Sequence, residues 1–186
     1  MKTAAEIVQI LQEKFPGKVI RAEMNVIDPY LLVEADSIAA ICLFLRDDSR
    51  LNFESLMCLS GVDYKGLKGE PERLEVVYHL FSMEHRHNIV LKVQLPRENP
   101  ALPTVEEIWA IANWHEREAY DMFGIRFEGH SDLRRILCPD DWVGFPLRKD
   151  YEQPETYRDM PVRPVKQFVE MAVEGLPVGT NPFKAG

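Results

Sequence analysis

A chain of 186 residues with a formal net charge of −8 has the length of one folded domain with its own core. Its 46% hydrophobic and 28% charged residues are the proportions of a globular protein, and the acidic balance disfavours nucleic acid or an anionic membrane surface as main partner. The longest apolar stretch, residues 38–45, is too short to span a bilayer, and the N-terminus lacks the basic-then-apolar pattern of a signal peptide.

In chain order, Thr3-Ala4-Ala5-Glu6 reads as a capping box. Ile7, Ile10 and Leu11 then recur at helical spacing until Pro16-Gly17, predicting an N-terminal helix. Val19-Ile20 and Leu31-Leu32-Val33 read as short strands around a turn region at 25–29. Asp36 or Ser37 is expected to cap a second helix, with Ile38, Ile41, Cys42 and Leu45 on one face. Residues 56–62, a short apolar run ended by Asp63, and residues 74–83, a longer one rich in Val, Tyr and Phe, both favour strands. In residues 89–95 the apolar side chains at 89, 91, 93 and 95 predict a strand with one buried face, joined to its predecessor by a hairpin over 84–88. The hairpin histidines His85 and His87 read as a solvated turn. Thr104-Val105-Glu106-Glu107, just after Pro103, reads as a second capping box opening a long helix through Trp109 toward Tyr120, with Gly124 as its C-terminal stop.

From Tyr151 onward, Pro154, Pro161, Pro164, Pro177 and Pro182 leave room for at most a short helix around 167–173. Residues 151–186 are therefore expected to be an extended, Pro-rich, partner-binding arm following a single domain over 1–150, with Tyr157, Phe168, Val169, Met171 and Leu176 as apolar anchors. The predicted fold class is α+β, a mixed and largely antiparallel sheet with helices packed on it.

Chemistry concentrates between residues 114 and 137. His115-Glu116 resembles the start of a zinc-protease helix, but Ala119 stands where the second His must be, so no metal site is expected. Glu116 and Glu118, two apart on a helix, point to nearly opposite sides and cannot share a substrate as acid and base. Arg117 and Asp121, four apart, can meet on the helix surface, and Asp132, Arg134 and Arg135 can fold back on the helix end. The expected outcome is a carboxylate–guanidinium network that fixes geometry, in preference to a catalytic centre. Gly61-Val62-Asp63-Tyr64-Lys65-Gly66 has phosphate-loop glycine spacing, but Leu67 replaces the required Lys. Cys42, Cys58 and Cys138 are widely spaced and read as reduced thiols rather than cluster ligands. Trp109, Trp114 and Tyr120 fit core and interface positions. Gly144-Phe145 followed by Pro146, Leu147, Arg148, Lys149, Asp150 and Tyr151 forms a basic and aromatic step suited to gripping a partner.

These residues carry a resemblance. Glu116-Arg117-Glu118, Asp121-Met122-Phe123, His130 and Arg134-Arg135-Ile136-Leu137 together resemble the signature of the C, or 30-kilodalton, subunit family of NADH:quinone oxidoreductase, respiratory complex I. The likeness extends to Gly61-Val62-Asp63-Tyr64, Val76-Val77-Tyr78-His79-Leu80, Ala112-Asn113-Trp114 and Pro146-Leu147-Arg148-Lys149-Asp150, covering most of residues 50–155. Ser131 departs from the family's usual Pro after the His, and Phe145 from its usual His or Tyr before Pro-Leu-Arg-Lys-Asp. The resemblance implies a cofactor-free hydrophilic subunit of the peripheral arm of a proton-translocating enzyme. It would pack against the quinone-site subunit and the iron–sulfur subunits, with FMN and iron–sulfur clusters held by those partners and not by this chain. It would sit on the cytoplasmic side of the inner (cytoplasmic) membrane, touching the membrane only through the complex. The alternative is the equivalent subunit of an F420- or ferredoxin-dependent dehydrogenase or a membrane-bound hydrogenase. A reading from a different class is a free-standing acid–base enzyme using His115 and Glu118.

Overall fold

The computed structural model describes residues 2–162. Helix α1 (Ala4–Lys14) begins as its capping box requires: the Glu6 amide donates to the Thr3 hydroxyl at 3.3 Å, and the Glu6 carboxylate accepts from the Thr3 amide at 2.7 Å. Strands β1 (Val19–Glu23) and β2 (Tyr30–Val33) pair antiparallel, β1 running three residues beyond Val19-Ile20. Helix α2 (Ile38–Asp47) buries Ile38, Ile41, Cys42 and Leu45 as its spacing predicts. Its start differs from expectation. A 3-10 turn over Ala35–Ser37 runs directly into it, and neither Asp36 nor Ser37 caps it with a side chain; Ser37 already has helical backbone angles, so its hydroxyl has no forward reach to the first-turn amides.

Strands β3 (Ser55–Asp63), β4 (Leu74–Ser82) and β5 (His87–Leu95) form an antiparallel meander, and β5 pairs parallel with β2. The sheet order is β1-β2-β5-β4-β3, mixed and mostly antiparallel. Residues 89, 91, 93 and 95 of β5 join side chains of α1 and α2 in one core, together with Val76, Tyr78 and Leu80 of β4. Leu32, Val77 and Val90 are buried outside that core cluster, beside Lys92, which lies over the Tyr30 ring at 4.1 Å. The second sheet face is thus partly wet along β5, with Asn88 and Gln94 exposed and Val90 buried. His87 corrects the solvated-turn expectation, whereas His85 stays half-buried in the turn. His87 is 2% exposed, its ring 4.7 Å from that of Phe53 and its Nε2 2.8 Å from the Leu51 carbonyl, and burial lowers its pKa.

The predicted helix from Thr104 is the largest local difference. Residues 105–111 form consecutive turns, with Ile108 and Trp109 amides both bonding to the Val105 carbonyl at 3.0 Å. Helix α3 spans only Ala112–Phe123. Trp109 sits in the core and donates from Nε1 to the Phe53 carbonyl at 3.0 Å, an anchor that fixes this segment against the sheet. Short strands β6 (Ala101–Pro103) and β7 (Arg126–Glu128), unforeseen in the sequence, flank α3 and pair parallel. Gly124 ends α3 in the left-handed region at φ 72°, as its position predicts.

The chain divides into two compact units, Met1–Tyr151 and one beginning at Glu152. The described part of the second carries a two-residue-strand hairpin, β8 (Thr156–Tyr157) with β9 (Met160–Pro161). The short helix expected at 167–173 and the anchors Phe168, Val169, Met171 and Leu176 lie outside the described residues.

Candidate functional site

Helix α3 approaches the sheet at Gly61 of β3. A Cβ there would lie 2.6 Å from the Phe123 ring, so the missing side chain is what lets the helix reach this depth. The glycines of 61–66 thus serve packing at Gly61, not a phosphate loop. Three carboxylates govern the surface that α3 supports.

Asp121 is fully buried. Its Oδ2 accepts three consecutive backbone amides, from Ile136 at 3.0 Å, Leu137 at 2.6 Å and Cys138 at 2.8 Å, while Oδ1 takes Arg135 Nη1 at 2.9 Å. Burial pushes this carboxyl up, but the three amides and Arg135 overcome it and leave its pKa below the ordinary value. The expected Arg117–Asp121 pair does not form. Arg117, though only 6% exposed, lies over the Trp114 ring and donates from Nε to the Arg134 carbonyl at 3.2 Å. Spacing brought the two within reach, but a rigid loop carrying three amides and a guanidinium is the stronger partner for one carboxylate.

Glu116, also fully buried, accepts the Thr104 hydroxyl and the Val105 amide, the latter at 2.8 Å, with His130 Nε2 4.0 Å away. Burial pushes its pKa up to about 7 against the pull of those two donors. The second predicted capping box is undone here. Thr104 donates to Glu116 and accepts from the Glu106 amide at 3.1 Å, and Glu106 closes the turn at 130–131. Glu106 takes Asn113 Nδ2 at 2.6 Å and the Ser131 hydroxyl at 3.1 Å, with His130 Nε2 at 3.5 Å. His130 Nδ1 in turn accepts the Asp132 amide at 3.0 Å.

Glu118 faces solvent, His115 is half-buried, and Asp132 pairs with Arg134 at 2.8 Å on the exposed surface. Glu116, Asp121, His130 and Arg135 are therefore drawn together around α3, whereas Glu118, Asp132 and Arg134 lie outside. Among the described residues no group of three or more His, Cys, Asp or Glu side chains is placed to hold a metal ion.

The third carboxylate, Asp63 at the end of β3, was not singled out in the sequence as a site residue. It is 6% exposed, pairs with Arg97, and accepts the amides of Lys65 and Lys149, each at 2.9 Å. Arg97 extends to Asp150 at 2.7 Å, which Lys65 also reaches at 3.1 Å. Lys65 first, and Arg97 with it, hold the Asp150 carboxyl down at about 2. Residues 146–151 are thereby fastened to the domain: the Leu147 amide bonds to the Met122 carbonyl at 3.1 Å, Arg148 Nε to the Phe123 carbonyl at 2.6 Å, and the Tyr151 hydroxyl accepts Trp142 Nε1 at 3.0 Å. Phe145 packs on Gly124, where a Cβ would lie 2.5 Å from its ring. Leu147 and Lys149 point outward. The sequence signal that could have found Asp63 is an acid closing an apolar strand, which in a buried position demands partners.

Known proteins resemble this chain. Residues 31–157 match the family described as respiratory-chain NADH dehydrogenase, 30 Kd subunit. The C subunit of the NADH-quinone oxidoreductase of Chloroherpeton thalassium is 49% identical over 156 residues, covering 83% of this chain and 63% of that protein, just under two thirds of its length. Its counterpart in Chlorobium phaeobacteroides is 44% identical over 164 residues, covering 87% of this chain and 96% of that one. Among solved structures, the trypsin-resistant fragment of Nqo5 superposes with a TM-score of 0.55 at 30% identity, covering 68% of this chain and 98% of the fragment. A component of an archaeal membrane-bound sulfane sulfur reductase superposes with a TM-score of 0.67 over 100% of this chain and 99% of its own length, at 23% identity, a likeness of fold alone.

Proposed function

We propose, from the premise that the chain belongs to the respiratory-chain NADH dehydrogenase 30 Kd subunit family, that it is a structural subunit of an NADH:quinone oxidoreductase. In this reading it works in the peripheral arm, carries no redox group, and holds the quinone-site and iron–sulfur subunits in register while their FMN and clusters pass electrons. Its place would be beside the membrane on the cytoplasmic side; among the described residues no helix is long and apolar enough to cross a bilayer. The supporting observation is the disposition of the signature residues. Glu116, Asp121, His130 and Arg135 turn inward and meet backbone amides, carbonyls and one another, which stiffens the loop over residues 129–151 instead of presenting reactive groups. Electron tunnelling falls steeply with separation, so a stiff spacer between cofactor-bearing subunits affects rate without touching an electron. The outward-facing Leu147 and Lys149, on a segment fixed by Arg148, Asp150 and Tyr151 with Pro146 at its start, form the docking surface in this reading.

The test replaces Arg135 by Ala in the chromosomal copy, with Arg134→Ala as comparison. Arg135 is 13% exposed at its side chain and paired with Asp121, whereas Arg134 is 68% exposed. Arg135→Ala is expected to lower the amount of assembled complex while NADH oxidation by an artificial acceptor, per assembled complex, is unchanged; Arg134→Ala should alter neither. Full assembly with quinone reduction at the wild-type rate would reject the positioning role. Recovery of the chain outside any flavin- or cluster-bearing complex would reject the reading altogether.

A further inference from the structure

The connection between β5 and β6, the turn after α3 and residues 145–148 border an open recess of about 490 Å³ lined by Arg97, Glu98, Gly124, Arg126, Phe145 and Arg148. Arg97, Arg73 and Arg135, each 13% exposed at the side chain, all carry a carboxylate partner. Arg148 differs. Partly buried, it gives Nε to the Phe123 carbonyl at 2.6 Å, and Nη1 comes only within 3.4 Å of the Arg97 carbonyl. Among the described residues no carboxylate stands within ion-pair distance of it. Its guanidinium lies over the Phe145 ring at 4.9 Å, so one face is covered, and among the described residues Nη2 has no hydrogen-bond partner.

The electrostatics are those of a site lacking its anion. Burial first, and then the like charge of Arg97, lower the pKa of Arg148, while Asp150 and Asp63 offset this only from beyond contact distance. Asp63 and Asp150 are already committed to Arg97 and Lys65. At the mouth Arg126 is 64% exposed, and its nearest acid, Glu128, is 4.0 Å away. With Arg97 paired to Asp63 and Asp150, and Arg126 to Glu128, Arg148 is the recess guanidinium that has no carboxylate in contact.

We infer that this recess is a socket for one carboxylate side chain, Asp or Glu, of a neighbouring subunit, gripped end-on by Arg148 with Arg126 closing over it. The inference rests on the proposed function, since it requires a neighbour. A carboxylate is a planar monoanion that matches the two parallel N–H bonds of a guanidinium edge and the single charge of Arg148. A phosphate dianion would exceed that charge. The Phe145 ring beneath excludes water from one side, which strengthens the pair.

Arginine is inert to carbodiimide, whereas an amine in the same place couples directly to a carboxylate in contact with it. The assembled complex is therefore prepared with Arg148→Lys, and separately with Arg126→Lys, whose exposed side chain has only the 4.0 Å pairing with Glu128. Each is treated with a water-soluble carbodiimide and mapped by peptide mass spectrometry against the wild-type complex. The expected result is a new isopeptide link from position 148, from position 126, or from both to an Asp or Glu of one partner subunit, absent in the wild type, with links from native Lys149 unchanged. Links only to Glu98, Asp150 or Asp63 of the same chain, or no new link in an intact complex, would overturn the socket while leaving the proposed function standing. The chain recovered outside any complex would overturn both. Bound inorganic phosphate in the recess of the intact complex, with no link formed, would also overturn it by assigning the site to a free anion.

Discussion

Replacing Asp121 by Asn probes the group on which the surface of this protein depends most. The substitution is nearly isosteric, but it removes the charge that four donors share. If the amide oxygen occupies the Oδ2 place it keeps the three backbone N–H groups, and the new NH2 then faces Arg135, donor against donor. If the amide flips, the three N–H groups lose their acceptor. In the milder case each of the three bonds falls from charge-assisted to neutral strength, a loss of about 1 kcal/mol apiece at most. Arg135, sheltered but not fully buried, loses its counter-charge at a cost of roughly 1–3 kcal/mol, below the range for a fully buried pair. The sum is at most ~4–6 kcal/mol, a large share of the 5–15 kcal/mol typical of a whole domain. Urea unfolding of the full chain followed by tryptophan fluorescence measures this, and a melting temperature lower by on the order of 10 °C should accompany it. The pH dependence supplies a second check. The folded pKa of Asp121 lies below its ordinary 3.8, so its contribution is complete above that value and is lost as pH falls through the depressed folded value. The gap between wild type and variant should accordingly be constant at neutral pH and close in strong acid. A gap under ~1 kcal/mol at neutral pH, or one that widens on acidification, would refute the reasoning.

Glu116 behaves oppositely. Its folded pKa of about 7 exceeds the ordinary 4.5, so the native state holds a proton that the unfolded state releases, and stability declines as pH rises from 4.5 through 7. Glu116→Gln should flatten that decline, seen as a smaller difference between unfolding midpoints in acid and in mild alkali; an unchanged slope would exclude Glu116 as its source. Gly61→Ala should destabilise by about 1–3 kcal/mol through overpacking, because the added methyl meets the Phe123 ring at 2.6 Å; a neutral result in urea unfolding would mean that Phe123 swings away freely. Burial pushes the Cys42 thiol far up, so native-state alkylation should label the half-buried Cys58 and Cys138 while Cys42 reacts only on unfolding; early labelling of Cys42 would contradict its burial.

Local patterns were legible where a few neighbouring residues decide the outcome. The Thr3–Glu6 box, the α2 stripe, the alternation in β5 and the Gly124 stop each concern groups within one turn or one pleat, so the chain alone determines them. The same holds for the long charged signature, whose residue types point to its family before any contact is known. Pairing was not legible. Arg117 and Asp121 satisfy the four-residue rule, yet Asp121 binds Arg135 and the amides of residues 136–138, partners fourteen to seventeen residues away. Thr104-Val105-Glu106-Glu107 mimics a helix start, but Glu116 and the turn at His130 claim Thr104 and Glu106, Trp109 anchors the segment, and α3 begins eight residues later. His87 reads as a turn residue and is buried because β5 places it against Phe53. Residues 146–151 read as a free grip, while Asp63 and the carbonyls of α3 hold them down. A buried carboxylate must find several donors at once, and only the folded chain decides which donors are close enough, in number and direction, to outweigh the loss of water.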